Sequence, residues 1–453
     1  MMLISKNITL KKAAKYTSIV FGSLIFIFVL IFIVFQDKLI NTFLKEPITK
    51  TFNEANAAYS LKLGDLNYSL WQNTLSSDSI ILQRSDSSIT YTAGSFSVGG
   101  ISWLNILWKR NISVNDLANS TINAQEIKIQ FHRVQNELQI KSLHISAEDS
   151  LLSAETIDYI STINDEEQFA QSQFRQTRTK LNIPGIKVTG LDFLSLLKGK
   201  SYIAGNISVH DLSAEILVNM DKPYEKTEVK PLMPNEALAA INKNIKIDSI
   251  KIIDGRLNYS ERYSVGAKPG LITFNKVDVT ILGIANTSEQ SDTLLVKSKG
   301  VFMNSATLNL FMKIPLSQNN FSMQYSGYLS GMNINKLNSF LEPAEYHRIK
   351  SGVIHSATFN INVNSGNAGG TLRIAYENLA IAILNKKSGS ENGFGVQLAS
   401  LLGKIFIIRA NNMPDKNGKM EIGEIKYARD AYDNFMQFVW FALRSGLADV
   451  VGF

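Results

Sequence analysis

The chain carries five histidines, His132, His144, His210, His347 and His355, and no cysteine. Imidazole is the usual general base and metal ligand near neutral pH, but these five are scattered and none falls in an HExxH pair. Without thiolates no zinc or iron–sulfur set can be completed either. His347 and His355 flank the start of an alternating run and read as surface residues. The stretch Gly366–Gly370 is followed by a strand pattern instead of Lys-Ser/Thr and a helix, so it reads as a hairpin turn and not as a phosphate cradle. Gly393-Phe394-Gly395 sits in a polar loop, and no GxSxG elbow occurs. The acids Asp165, Glu166 and Glu167 open a polar segment, Asn164–Lys180, that ends in Arg175, Arg178 and Lys180. That order of charge suits the dipole of a solvated connecting helix. No nucleophile, base and orienting group can be assembled locally, so the expectation is a protein with no catalytic residues, no metal and no cofactor, and not an enzyme. Lysines and arginines alternate with acids and never form a stripe longer than three, which argues against a nucleic-acid partner.

What the chain offers instead is apolar alternation. Ile207 and Val209, Ile250 and Ile252, then Val277, Val279 and Ile281, each put apolar side chains on one face of a strand. Leu308, Leu310 and Met312, Phe321 and Met323, and Phe359, Ile361 and Val363 do the same further along. Two readings follow from such a pattern: the core of a sandwich, or an open groove whose apolar floor holds acyl chains and whose polar mouth solvates head groups.

The elements that must position these residues begin with a membrane segment. Thr17–Phe35 is about 19 residues without a charge, close to the roughly 20 that cross a bilayer as a helix. Ile19, Phe21, Leu24, Phe26, Phe28, Leu30, Phe32 and Phe35 are its anchor residues. Lys6, Lys11, Lys12 and Lys15 precede it without an acid, which places residues 1–16 in the cytoplasm and the remainder beyond the membrane. The span is taken as 17–36 and as uncleaved, since it is longer than a signal-peptide core and lacks small residues at its end. Four of the seven net positive charges are those lysines, so the rest of the chain is nearly neutral.

Residues 37–59 read as an amphipathic connecting helix with a kink at Pro47. Short alternating runs broken by Asn, Asp, Ser and Gly fill 60–430, among them Asn111–Val114, Lys246–Ile253 and Leu257–Arg262. Short helices are expected at Pro234–Asn242 and Asn333–Leu341. Residues 431–453 form a C-terminal apolar helix packed on a sheet edge, or alternatively an interfacial helix, and Leu398–Ile408 is a shorter apolar case. Ile112–Leu117 and Ile207–Leu212 match in five of six places, each with an Asp-Leu turn leading to a second strand. Asp254-Gly255 repeats the idea as a hairpin turn. The resulting fold class is mainly β: an N-terminal transmembrane helix, then an elongated, strongly curved antiparallel sheet forming a groove, with a few short helices.

The order Gly327–Met332, Asn335-Lys336-Leu337-Asn338, a short helix, Ser351-Gly352, a strand at Val353–Val363, and Gly370–Leu384 resembles the C-terminal part of AsmA-like envelope proteins. The anchor followed by a helix and a strand at Ser60–Tyr68 is similar to their N-terminal end. The resemblance implies a bacterial inner-membrane protein with a periplasmic β-rich body, related to bridge proteins that move phospholipid. The expected partners are a phospholipid or other acyl lipid, the bacterial inner membrane, and an envelope protein. The other function class is an assembly or scaffold factor that holds a protein partner and carries no lipid.

Overall fold

The computed structural model describes residues 38, 41–69, 71–101, 114–225, 230–287, 292–316, 320–385 and 408–452. The span at 17–36 with its anchor residues, the glycines of the loop at 393–395 and all but the last residue of Leu398–Ile408 lie outside them. Among the described residues no helix is long and apolar enough to cross a membrane. The chain is mainly β, with twenty-one described strands, and it divides into two compact units, one ending at Arg133 and one starting at Val134.

The first unit opens with a wide π-helical turn, Asn41–Lys45, that runs into α1 (Glu46–Ala55). Pro47 lies in the first turn of α1, directly after the π turn, so the helical run changes its winding where the kink was expected. Seven strands follow: β1 (Tyr59–Leu63), β2 (Leu66–Ser69), β3 (Thr74–Ser77), β4 (Ile80–Arg84), β5 (Ile89–Ala93), β6 (Ser95–Gly99) and β7 (Thr121–Phe131). They are mostly halves of longer strands. β5 and β6, separated by Gly94 alone, both lie antiparallel to β7, while β1 pairs with β4 and β2 with β3. A small core of Leu66, Tyr68 and Ile101 holds this unit together. Val114, expected in a strand, stands in a 3-10 turn, Val114–Leu117; the rest of that run lies outside the described residues.

The second unit contains β8 (Asn136–Ser146), β9 (Leu151–Ser161), α2 (Asp165–Ala170), β10 (Thr177–Thr189), α3 (Phe193–Leu197), β11 (Ser201–His210) and β12 (Ser213–Asn219). Then come α4 (Pro234–Ala239), β13 (Asn244–Arg262), β14 (Gly270–Ala285), β15 (Thr293–Phe302), β16 (Ala306–Pro315), β17 (Met323–Leu329) and β18 (Met332–Asn333). α5 (Asn338–Glu345), β19 (His347–Asn364), β20 (Asn367–Ile383), β21 (Ile422–Ala428) and α6 (Phe435–Val451) complete it. Neighbours in sequence are mostly neighbours in the sheet. The ladder runs from β8 through β9 and β10 to the collinear pair β11 and β12, then through β13 to β17, β19, β20 and β21.

Three expectations need correction. The sheet is mixed, because β11 and β12 both run parallel to β13. A parallel neighbour requires a crossover, and residues 220–243 with α4 supply it. Second, Asp254-Gly255 makes no hairpin: Asp254 has φ +55° inside the 19-residue strand β13, where the register with β14 shifts, so the signal marks a bulge. Asp211, at φ +53°, likewise kinks one continuing strand between β11 and β12. Third, Asn164–Lys180 is not one helix. α2 ends at Ala170 with Phe169 fully buried, and β10 has begun by Thr177. Arg178 reaches back to Asp165 with two hydrogen bonds of 3.0 Å, so its charge ties β10 to α2 instead of facing the end of a helix.

The breaks in the strands are aligned. Thr156 (φ +47°), Pro184 opposite it, Asp211, Asp254 and Lys276 (φ +48°) interrupt β9, β10, β11/β12, β13 and β14 at neighbouring ladder positions. A bulge bends its strand and tightens its twist. Among these strands the register shifts only in β13–β14 and β14–β15, so two of the five are bulges, and the left-handed Thr156 and Asp211 with Pro184 extend them as one crease across β9 to β12 without an inserted residue.

Candidate functional site

Cross-strand partners put their side chains on the same face of a sheet, so the register identifies the surface directly. One row reads Ile145, Leu152, Val188, Ile207, Ile250, Ile281, Val296, Met312, Tyr325, Ile361, Gly370 and Ile425, each residue paired with the next from β8 to β21. No polar residue larger than a tyrosine hydroxyl interrupts it. A second row beside it contains Ala154, Ile186, Val209, Ile252 and Val279, then Ser298, Leu310, Gly327, Phe359 and Leu372. Beyond the crease a third row runs through Leu138, Tyr159, Leu181, Ala214, Leu257, Phe274, Phe302 and Ala306. A Cβ on Gly255 would meet Ile252 Cγ2 at 3.2 Å, so the bulge keeps both sides of the crease on one face. Apolar side chains therefore flank the fold line on both sides.

Burial divides these rows into two stretches. From β8 to β15 the residues are mostly half-buried, Ile207, Ile250, Ile252, Val277, Val279 and Ile281 among them; Val209 is buried. From β16 onward Met312, Phe321, Met323, Ile361 and Val363 are buried, with Ile361 at 0 % exposure, while Leu308, Leu310 and Phe359 stay half-buried at the border. The cause is α6. Its side chains Phe438, Ala442 and Val450 enter the same cluster as Met312, Tyr325 and Ile425. Phe438 meets Phe321 edge-on at 5.3 Å between centroids, and the hydroxyl of Tyr325 donates to the Val439 carbonyl at 3.3 Å. Burial pushes the Tyr325 phenol pKa upward.

Several local features seat this helix. Asn434 caps its start by accepting from the Gln437 N–H at 2.9 Å, and Gly452, at φ +89°, ends it. Gly423 and Gly446 allow strand and helix to touch, because a Cβ on Gly423 would stand 2.1 Å from the Gly446 carbonyl oxygen. On β21, the Glu424 and Lys426 N–H groups donate to Asp449 at 2.8 Å and Ser445 at 3.2 Å. The helix thus packs on the face and also satisfies edge donors.

Two further helices close strand ends. α5 contacts β13, β14 and β19, with Ser339 donating to Leu271 O at 3.0 Å and Asn338 exchanging two bonds with Ile349. Beside α4, Met233 is buried in the same core as Met312. Glu236 pairs with Arg429 at 2.8 Å, which ties the crossover to the end of β21. A notch of about 330 Å³ lies there, lined by Glu236, Asn320, Phe321 and Arg429 among others. It is off the uncovered stretch, and its guanidinium is already committed to Glu236 and Pro231 O.

The alternation read from the sequence places all the paired candidate floor residues on one face, but that face is two surfaces: an uncovered one and one closed by α6. The reading missed the extension through Ile145, Leu152, Ile186 and Val188, and the third row. Both were signalled by the same alternation in β8, β9 and β10. Among the described residues no three His, Asp or Glu side chains group as a metal site. His355 lies 3.2 Å from Glu377 on an exposed strand face. No protein-family model matches this chain, and no curated protein matches it significantly.

Proposed function

We propose that the chain is an inner-membrane-anchored periplasmic protein that binds or transfers lipid, with acyl chains lying along the uncovered apolar rows of the second unit. The observation that supports this is the continuity of the rows combined with their partial exposure. A sealed sandwich would bury them throughout, whereas here most row residues from β8 to β15 stay half-buried, Ala154, Val188 and Val209 excepted, and the large side chains are closed off where α6 lies. The uncovered stretch, β8 to β15, spans six ladder steps, about 29 Å at the usual strand spacing. Half of a hydrocarbon core of about 30 Å is the depth of one leaflet. One acyl chain therefore fits lengthwise with room to spare. The likeness to AsmA-like envelope proteins, the apolar run at 17–36 and its lysine flank agree with this placement.

The test is a photo-crosslinking amino acid placed in the full chain at Ile207, Ile250 or Ile281, with Lys251 on the opposite face and buried Ile361 as controls. Lipid adducts at the first three and not at the controls are expected. Adducts no more frequent than at Lys251 overturn the proposal, and adducts to a single protein without lipid select an assembly role instead.

A further inference from the structure

Trp71 is 98 % exposed, the most exposed large apolar side chain among the described residues. It stands on the turn between β2 and β3, and that turn is built. The Tyr68 hydroxyl bonds Asn73 Oδ1 at 2.9 Å, Thr74 Oγ1 donates to Gln72 O at 3.0 Å, and Gln72 N–H donates to Ser69 Oγ at 3.3 Å. Asn73 takes φ +47°. The indole is thus held away from its own unit by a defined turn. An isolated exposed tryptophan needs no explanation by itself. Its position relative to the start of the chain supplies one.

The helical stalk is clamped to β1 and β2 at three points. Asn41 exchanges two hydrogen bonds with the backbone of Leu66, at 2.7 and 2.8 Å; Lys45 pairs with Asp65 at 3.2 Å; and Leu61 N–H donates to Asn53 Oδ1 at 2.7 Å. As the stalk advances from 41 to 53, its partners retreat from 66 to 61. The two segments are antiparallel, so moving back along the chain from Asn41 parallels moving forward from Leu66 to Trp71. The Lys38 carbonyl accepts from Thr42 Oγ1 at 2.8 Å. β2 runs on from Leu66 to Ser69, about 10 Å, and the turn that follows carries Trp71 at its tip. That tip therefore lies on the side from which the chain enters this unit.

We infer that the β2–β3 tip, through Trp71, enters the lipid–water interface of the membrane that the apolar run enters, giving the first unit a second membrane contact beside the stalk. The inference rests on reading 17–36 as a span. Tryptophan suits this depth, because its ring is apolar and its N–H can still meet a polar head group. A stalk and a side contact together fix the tilt of the unit on the bilayer, which a single helix cannot do.

The test uses the full chain in vesicles of phosphatidylethanolamine and phosphatidylglycerol, with and without bromine on the acyl chains close to the head groups. The difference in emission between the unmodified chain and Trp71→Phe isolates the indole, and a substitution at so exposed a site leaves the fold intact. A blue-shifted Trp71 component that loses most of its intensity to brominated lipid and little to aqueous iodide is expected. A component that behaves as in water, quenched by iodide and unaffected by bromine, overturns the inference while leaving the anchor standing. A chain that does not float with the vesicles overturns the anchor reading, and this inference with it.

Discussion

Replacing Ile250 and Ile361 in turn by threonine separates an open floor from a sealed core. Both residues belong to the same cross-strand row, both are β-branched, and threonine keeps the strand preference, so only the surroundings differ. At Ile361, at 0 % exposure, the change removes buried hydrocarbon worth about 1 kcal/mol. It also buries a hydroxyl at a cost of about 1–3 kcal/mol. The expected loss is then about 2–4 kcal/mol. At Ile250, half-buried, the hydroxyl reaches solvent and only part of the hydrocarbon term is lost, under about 1 kcal/mol. For the roughly 320 residues from Val134 to Phe453, unfolding entropy is about 0.7 kcal/mol per degree, so the Tm shifts are about 3–6 °C and about 1 °C. Thermal unfolding of the delipidated full chain in detergent, followed by circular dichroism, reads both. Equal losses at the two positions would mean that β11 to β15 enclose a dry core, and the lipid proposal would lose its ground.

Gly423→Ala places a methyl against the Gly446 carbonyl and should loosen α6 by about 1–3 kcal/mol, read as earlier proteolytic release of the C-terminal helix. Phe438→Ala empties the centre of the closed end and should cost about 3–5 kcal/mol in Tm measurements, with no new exposure in the first unit by hydrogen exchange. Burial raises the Glu236 carboxyl, but the hydrogen bonds from Arg429 and from the Met233 N–H outweigh it and hold the group below its usual range. Its contribution is therefore fully present above the unfolded carboxylate pKa and is lost as the pH falls through the lower folded value. Glu236→Gln should flatten that part of the acid limb of the Tm profile; an unchanged limb would show that the α4 tie adds nothing to stability.

Much of this architecture is legible in the alternation itself. Leu308, Leu310 and Met312 face one way in β16 because a period of two permits nothing else once one of them is inside. The hairpin expected at Gly366–Gly370 is there, but its turn is Ser365-Gly366, and Asn367 to Gly370 already belong to β20, because each finds a partner on β19. What local pattern misjudges is continuity. Asp254-Gly255 satisfies the chemistry of a tight turn, yet the residues on both sides find partners along β11, β12 and β14, and the ladder outweighs the local preference and converts the turn into a bulge. The parallel pairing of β11 and β12 is hidden for the same reason, because it depends on where the crossover returns. Nor does alternation distinguish floor from core. Ile250 and Ile361 look alike in sequence, and only α6, many residues away, makes one of them inaccessible.

In the proposed function, α6 constrains how cargo moves. The rows do not stop at the end of the uncovered stretch; they continue beneath α6, where the helix occupies the same kind of apolar surface that the proposal gives to an acyl chain between β8 and β15. A chain sliding along the rows from β8 meets Phe438 and Val450 near β16, so release in that direction requires displacing a helix held by Asn434, by Asp449 and by the close approach at Gly446. Release sideways, over the strand ends, requires no displacement of α6 but passes α4 or α5. The two routes predict opposite behaviour for Gly423→Ala. Loosening α6 speeds the loss of a bound fluorescent phospholipid if the rows lead out beneath the helix, and leaves it unchanged if lipid leaves over the strand ends. A slower loss fits neither route and would remove α6 from the path altogether.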